Sequence, residues 1–132
     1  MKHSQIEAFV FADGSKGLHL IHPDDAETWH DSGGEYHNDG DRPAGIFPDG
    51  FYCYCRHGQY HRDNNLPARI FANGLCEWWV DGCKIKTKMC TSEEVVMYKL
   101  VHDDDIQATR WIQNEYNVMQ RQQSAFSLKN LN

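Results

Sequence analysis

Basic side chains are scarce in this chain. Lys and Arg total 13 against 19 Asp and Glu, a net charge of −6 with His neutral. A duplex-binding protein neutralises phosphates with Lys and Arg, so the balance speaks against direct nucleic-acid binding and against an anionic membrane surface. No apolar run approaches the ~18 residues of a membrane span. The opening residues, Met1 to Glu7, lack the apolar core of a signal peptide. The five cysteines are odd in number and follow no framework spacing, which suits a reducing cytoplasm, the host's if the source is a virus. Recognisable catalytic motifs are missing too: no G-x-S-x-G, no phosphate-cradling glycine loop, no H-E-x-x-H. The reading is therefore non-catalytic, with no catalytic residue, metal or cofactor assigned.

What the chain does have is a pattern written twice. Tyr36-His37-Asn38-Asp39, Pro43-Ala44, Ile46-Phe47-Pro48-Asp49-Gly50, an aromatic run and Gly58 return as Tyr60-His61-Arg62-Asp63, Pro67-Ala68, Ile70-Phe71-Ala72-Asn73-Gly74, an aromatic run and Gly82. Without a gap, 9 of 24 aligned positions are identical, where average composition gives roughly one or two. Val10-Phe11-Ala12-Asp13-Gly14 matches the pentads ending at Gly50 and Gly74 and reads as a third, N-terminal copy. Pentad Gly to closing Gly is 8 residues in the two clear copies and 20 from Gly14 to Gly34. The first copy is thus expected to carry an insertion, within about Ser15 to Thr28.

Asp-Gly and Asn-Gly between β-type runs predict hairpins, with type I′ turns that need positive φ at both central residues. Residues 6–11, 51–56 and 75–80 read as strands, and Asp81-Gly82 offers a further turn into a closing strand. Period two puts Tyr52, Tyr54 and Arg56 on one face, matched by Cys76, Trp78 and Val80, and Cys53, Cys55 and His57 on the other, matched by Glu77, Trp79 and Asp81. Pro43 and Pro67 belong at strand starts or connections, and 38–41 and 63–65 are loops. After Lys88 the character changes. Thr91 and Glu94 are spaced as a capping box, and Ala108, Trp111, Ile112, Tyr116 and Met119 form the stripe of a second helix. The expected fold is α+β and mainly β: tandem 24-residue β-hairpin repeats (6–34, 35–58 and 59–82) and a closing strand over 1–88 form an antiparallel meander, closed by a helical cap and tail over 89–132.

This pattern resembles the variant MORN-like repeats of small bacterial, phage and giant-virus proteins, some of them antitoxin-like. The resemblance covers residues 35–86 well and 6–34 loosely. It implies a curved hairpin sheet used as an interaction surface, with no catalytic residues to carry over. These copies are longer and poorer in glycine than standard MORN repeats, so the lipid binding proposed for those does not transfer.

Three constellations invite chemistry. His61-Arg62-Asp63 looks like a kinase catalytic loop, but the required Asn five residues past the Asp is Ala68; side-chain bonds that hold a loop are the better account. Cys53, Cys55 and His57 share a face, yet residues four apart on a strand stand about 13 Å apart, and the usual C-x₂–₄-C knuckle is absent. His19, His22, His30 and Asp24-Asp25 offer ligands without a distinguishing spacing. The binding surface is expected at Tyr52, Tyr54, Trp78 and Trp79, because adjacent tryptophans on a strand point to opposite faces and aromatics dominate interface hot spots. His22, Asp24 and Asp25 join them, since insertions in repeat proteins line one face. The expected function is a cytoplasmic, acidic protein-binding module, monomer or homodimer, that neutralises or scaffolds a basic partner, as an antitoxin or a phage inhibitor of a host defence or nucleic-acid enzyme does. The alternatives are a small metal- or Cys/His-dependent enzyme and a self-associating structural component.

Overall fold

The computed structural model describes residues 3–99. Ten strands and one helix follow in order: β1 (Gln5–Val10), β2 (Lys16–Ile21), β3 (Glu27–Asp31), β4 (Gly45–Ile46), β5 (Tyr52–Cys53), β6 (Cys55–Arg56), β7 (Gln59–Tyr60), β8 (Arg69–Ile70), β9 (Leu75–Val80), β10 (Cys83–Met89) and α1 (Ser92–Lys99). The main sheet is an antiparallel meander ordered β1-β2-β3-β4-β5-β8-β9-β10, and β6 pairs with β7 beside it. The protein is thus mainly β with one short helix among the described residues. The predicted second helix lies outside them.

Two rows of side chains cross all eight strands. Gln5, Ile21, Glu27, Ile46, Tyr52, Ile70, Cys76 and Lys88 are successive register partners. So are their chain neighbours Ile6, Leu20, Thr28, Gly45, Cys53, Arg69, Glu77 and Thr87. Successive residues of a strand point to opposite faces, so each row marks one face. The first face carries the main core, in which Phe11, Trp29, Ile46, Tyr52, Tyr54, Ile70 and Trp78 pack together. The second carries a smaller cluster of Ala44, Cys53 and Cys55 under Phe47, Phe51 and Tyr60.

One turn design occurs four times with a side-chain cap, and its backbone bonds recur a fifth time at Asp31–Glu35. In Phe11–Ser15, His22–Ala26, Phe47–Phe51 and Phe71–Leu75, the first N–H donates to the fifth carbonyl and the fourth N–H returns to the first carbonyl. The third residue's Oδ1 accepts the fifth N–H. Within these pentads only the fourth residue has positive φ: 88° at Gly14, 71° at Asp25, 97° at Gly50 and 96° at Gly74. This is a type I turn followed by a left-handed residue, not the expected type I′. The type I′ pair occurs instead at two of the three closing glycines, His57-Gly58 (48° and 83°) and Asp81-Gly82 (48° and 82°), which join Arg56 to Gln59 and Val80 to Cys83.

Residues 15–28 are not an insertion outside the sheet. They form β2, a turn and the start of β3. His22-Pro23-Asp24-Asp25 takes the place of Phe47-Pro48-Asp49-Gly50, at the same end of the sheet. The Val10–Gly14 pentad, expected to head a copy, turns at the opposite end. There Asp39 accepts the N–H groups of Ala12 and Asp13 through its two carboxylate oxygens, both at 3.1 Å.

Helix α1 begins at the predicted capping box. Thr91 Oγ1 accepts the Glu94 N–H and Glu94 Oε1 accepts the Thr91 N–H, both at 3.1 Å. Val95 and Tyr98 pack on the main core, and Tyr98 meets Trp78 edge to face at 5.8 Å. Two cations bind the helix end to the sheet. Lys99 Nζ donates to the Gly50 carbonyl at 3.1 Å and lies 4.3 Å from the Tyr52 ring centroid. Arg62, its side chain only 1 % exposed, donates to Asp41 Oδ1 at 2.8 Å, the Pro67 carbonyl at 3.0 Å and the Tyr98 carbonyl at 2.8 Å. Arg62 also stacks 3.8 Å over Tyr54. A helix carbonyl is thereby paired with a cation. The kinase-like triplet is therefore structural in its Arg.

Candidate aromatic docking groove

Helix α1 packs over the Tyr52 and Trp78 part of the first face, so three of the four expected binding aromatics are core residues. Tyr52, Tyr54 and Trp78 are 2 %, 2 % and 3 % exposed. They face inward because the helix and the Arg62 and Lys99 cations lie over them. Trp79, on the other face, is half-buried; it meets Tyr60 at 5.2 Å and donates from Nε1 to Glu77 Oε1 at 3.1 Å.

The second face holds a groove of about 640 Å³ lined by Asp24, Phe47, Pro48, Asp49, Phe51, Arg69, Phe71 and Ala72. Three half-buried phenylalanines form its wall, with ring centroids 5.6 Å apart between Phe47 and Phe51 and 4.9 Å between Phe51 and Phe71. Arg69 sits among four rings, 4.8 Å from Tyr60, 4.9 Å from Phe71, 5.6 Å from Phe51 and 5.9 Å from Trp79. Its Nη1 donates to Glu77 Oε1 at 2.9 Å, and Lys84 approaches the other oxygen of Glu77 at 3.7 Å. The Arg69 charge is thus compensated. The charges left at the rim are the carboxylates of Asp24 and Asp49, whose Oδ1 atoms cap their turns.

Of the seven expected binding residues, the structure puts Asp24 in this groove and Trp79 behind its Arg69. Asp25 occupies the left-handed turn position beside Asp24. His22 is half-buried and bonded at 2.8 Å to Thr28 Oγ1, which also bonds His30 at 2.8 Å. Phe47, Phe51, Phe71 and Arg69 were not anticipated. The signal for two of them is the adjacent pair Ile46-Phe47, repeated as Ile70-Phe71: with period two, two neighbouring large apolar residues require that both sheet faces be covered or occupied.

Cys53, Cys55 and His57 do not converge. Both cysteines are buried under Tyr60 and Phe47. The Cys53 thiol is pushed up by its hydrogen bond to Cys55 and by burial. That same bond, with the nearby Arg69 charge, holds the Cys55 thiol low against burial. The strand ends at Arg56, and the turn carries His57 to the surface, where Nδ1 meets Asp31 at 2.7 Å and the ring stacks on His37 at 4.0 Å. His19 lies apart on the first face, stacked on Trp29 at 4.5 Å. Burial would lower its pKa, but Glu27 at 3.1 Å and Glu7 at 3.5 Å outweigh that and raise it. Among the described residues, no three His, Cys, Asp or Glu side chains are grouped to hold a metal ion, and no helix is long and apolar enough to cross a membrane.

No protein family, no curated protein and no solved structure matches this chain.

Proposed function

We propose that this protein is a non-catalytic protein-binding module of tandem 24-residue MORN-like β-hairpin repeats with a C-terminal helical cap. Its task is to neutralise or scaffold a protein partner in the cytoplasm, as an antitoxin or a phage inhibitor of a host nucleic-acid enzyme does. The observation that carries this reading is the Phe47-Phe51-Phe71 wall around Arg69, an apolar groove with aromatic and Arg character typical of interface hot spots. The recurrence of the turn and loop bonds supports the repeat reading. His57 N–H to His37 Nδ1 and Asp81 N–H to His61 Nδ1 are both 3.0 Å. Asn38 Nδ2 reaches the Pro43 carbonyl as Arg62 Nη1 reaches that of Pro67.

Asp24 and Asp49 at the rim select an apolar segment flanked by Lys or Arg, in keeping with the net charge of −6. The test is affinity capture from host lysate, followed by calorimetric titration of the retained protein, purified, against wild type and two variants. Ala72→Arg fills the groove from an exposed position. Asp24→Asn with Asp49→Asn removes both rim charges and keeps the Oδ1 turn caps. Loss of binding in the first and at least ten-fold weakening in the second, with thermal stability unchanged, is the expected result. Equal binding by all three proteins overturns the groove as the docking surface.

A further inference from the structure

The two edges of the main sheet differ. Strand β10 carries Lys84, Lys86 and Lys88, and its register shifts between Lys84 and Lys86. Edge lysines and bulges are the devices that keep a strand from pairing with another chain. Strand β1 has neither. Its register with β2 runs unbroken from Gln5 to Val10, and Glu7 is its one charged residue.

The outer side of β1 can be assigned atom by atom. Phe11 N–H donates to the Ser15 carbonyl, and antiparallel ladders bond at every second residue. The N–H and C=O groups of Glu7 and Phe9 therefore point to β2, and those of Ile6, Ala8 and Val10 point outward. Among the described residues, β1 has β2 as its single strand neighbour. Ile6 and Val10 are also 65 % and 63 % exposed, and they share a sheet face with Leu18 and Leu20 of β2.

We propose that two copies of this chain pair β1 to β1, antiparallel, about a two-fold axis at Ala8. That register sets Ile6 against Val10 of the second copy, Ala8 against Ala8 and Glu7 against Phe9. It covers both exposed aliphatics and satisfies all three outward residues. A shift to an axis at Glu7 would place two carboxylates face to face, which is unfavourable for directly opposed residues. Pairing β1 with β10 of another copy would not close and would build a filament; the β10 bulge interrupts the ladder it needs. The dimer forms one continuous sheet and leaves both lysine edges outside. It is independent of the groove.

The test is sedimentation equilibrium of the full chain under reducing conditions, from low micromolar to several hundred micromolar. The expected mass rises from 15.3 kDa to twice that and stops. Ala8→Pro removes one outward N–H and no bond to β2, so it is expected to abolish the dimer. Ile6→Lys with Val10→Lys does the same without altering the backbone. In a Cys83→Ser background, Ala8→Cys is expected to give a disulfide-linked dimer on oxidation and Val10→Cys is not. Opposed hydrogen-bonded residues lie about 5.5 Å apart at Cα, within reach of a disulfide. A monomer throughout, growth beyond the dimer, or a dimer that persists in both the proline and the lysine variants overturns the proposal.

Discussion

The backbone N–H of His57 donates to Nδ1 of His37 at 3.0 Å. Because Nδ1 accepts, the neutral ring carries its proton on Nε2, which is buried without a hydrogen-bond partner among the described residues. Burial, and then the neighbouring His57 ring, lowers the pKa of His37 below the ordinary 6.5. The unfolded chain therefore binds this proton more readily. The stabilisation is full above about pH 6.5 and is lost as pH falls through the folded value. Urea unfolding at a series of pH values should show stability decreasing on the acid side of 6.5, and His37→Gln should flatten that slope. His19 has the opposite sign. Its raised pKa contributes stability that is full below 6.5 and lost as pH rises through the folded value, so His19→Gln should flatten the slope above 6.5.

Arg62 joins two loops and the helix end. Removing one partner of a buried ion pair costs about 3–5 kcal/mol. Arg62→Met should approach that loss in urea unfolding, because Asp41 keeps its charge and the Tyr98 carbonyl loses its donor. Arg62→Met with Asp41→Asn should recover part of it. No recovery would mean that the helix contact outweighs the ion pair.

Turn positions offer a comparison within one molecule. Asp25 stands at φ 71° where the equivalent turns have glycine. A left-handed L-residue costs roughly 1–2 kcal/mol, less for Asp, so Asp25→Gly should raise stability by a few tenths to about 1 kcal/mol. Gly17→Ala should lower it by more than about 3 kcal/mol, beyond ordinary overpacking, because the new Cβ would collide with the His30 carbonyl oxygen and the Phe11 ring. Thermal melts of the two variants should move in opposite directions.

The cysteines should react in order of exposure. Cys83 is exposed, whereas Cys53, Cys55 and Cys76 are buried. The Cys76 thiol is pushed up to about 12, first by burial and then by its bond to Cys90. The thiolate is the reactive form, so iodoacetamide at pH 8 should modify Cys83 first and leave Cys53 and Cys76 until the protein unfolds. Mass spectrometry of timed samples reads this directly. Early labelling of Cys76 would contradict the packing of α1 over β9.

Much of the sheet was legible because the recurrence in sequence is tight. The strand at 75–80, the loops, the prolines at strand starts and the capping box follow from turn chemistry and period two. Two features were hidden. The His22–Ala26 turn escapes the sequence pattern because Asp25 replaces the glycine and His22 the phenylalanine, so the pattern loses its punctuation while the backbone keeps the bonds. The burial of Tyr52, Tyr54 and Trp78 was hidden because period two says which residues share a face, not which face is covered. Only the docking of α1 through Arg62 and Lys99 decides that Tyr52 and Trp78 are interior and that Phe47 and Phe71 are not.

The matched backbone bonds at Gly58 and Gly82, each donating to the tyrosine 22 residues before it, have a consequence for length. The segment between these points begins and ends in the same local geometry, so a further copy of Glu35–Gly58 could be spliced in without altering either edge strand. With strands about 4.8 Å apart, each such unit would widen the sheet by about 10 Å. The span of the sheet would then follow the number of such segments, with both edge strands unchanged.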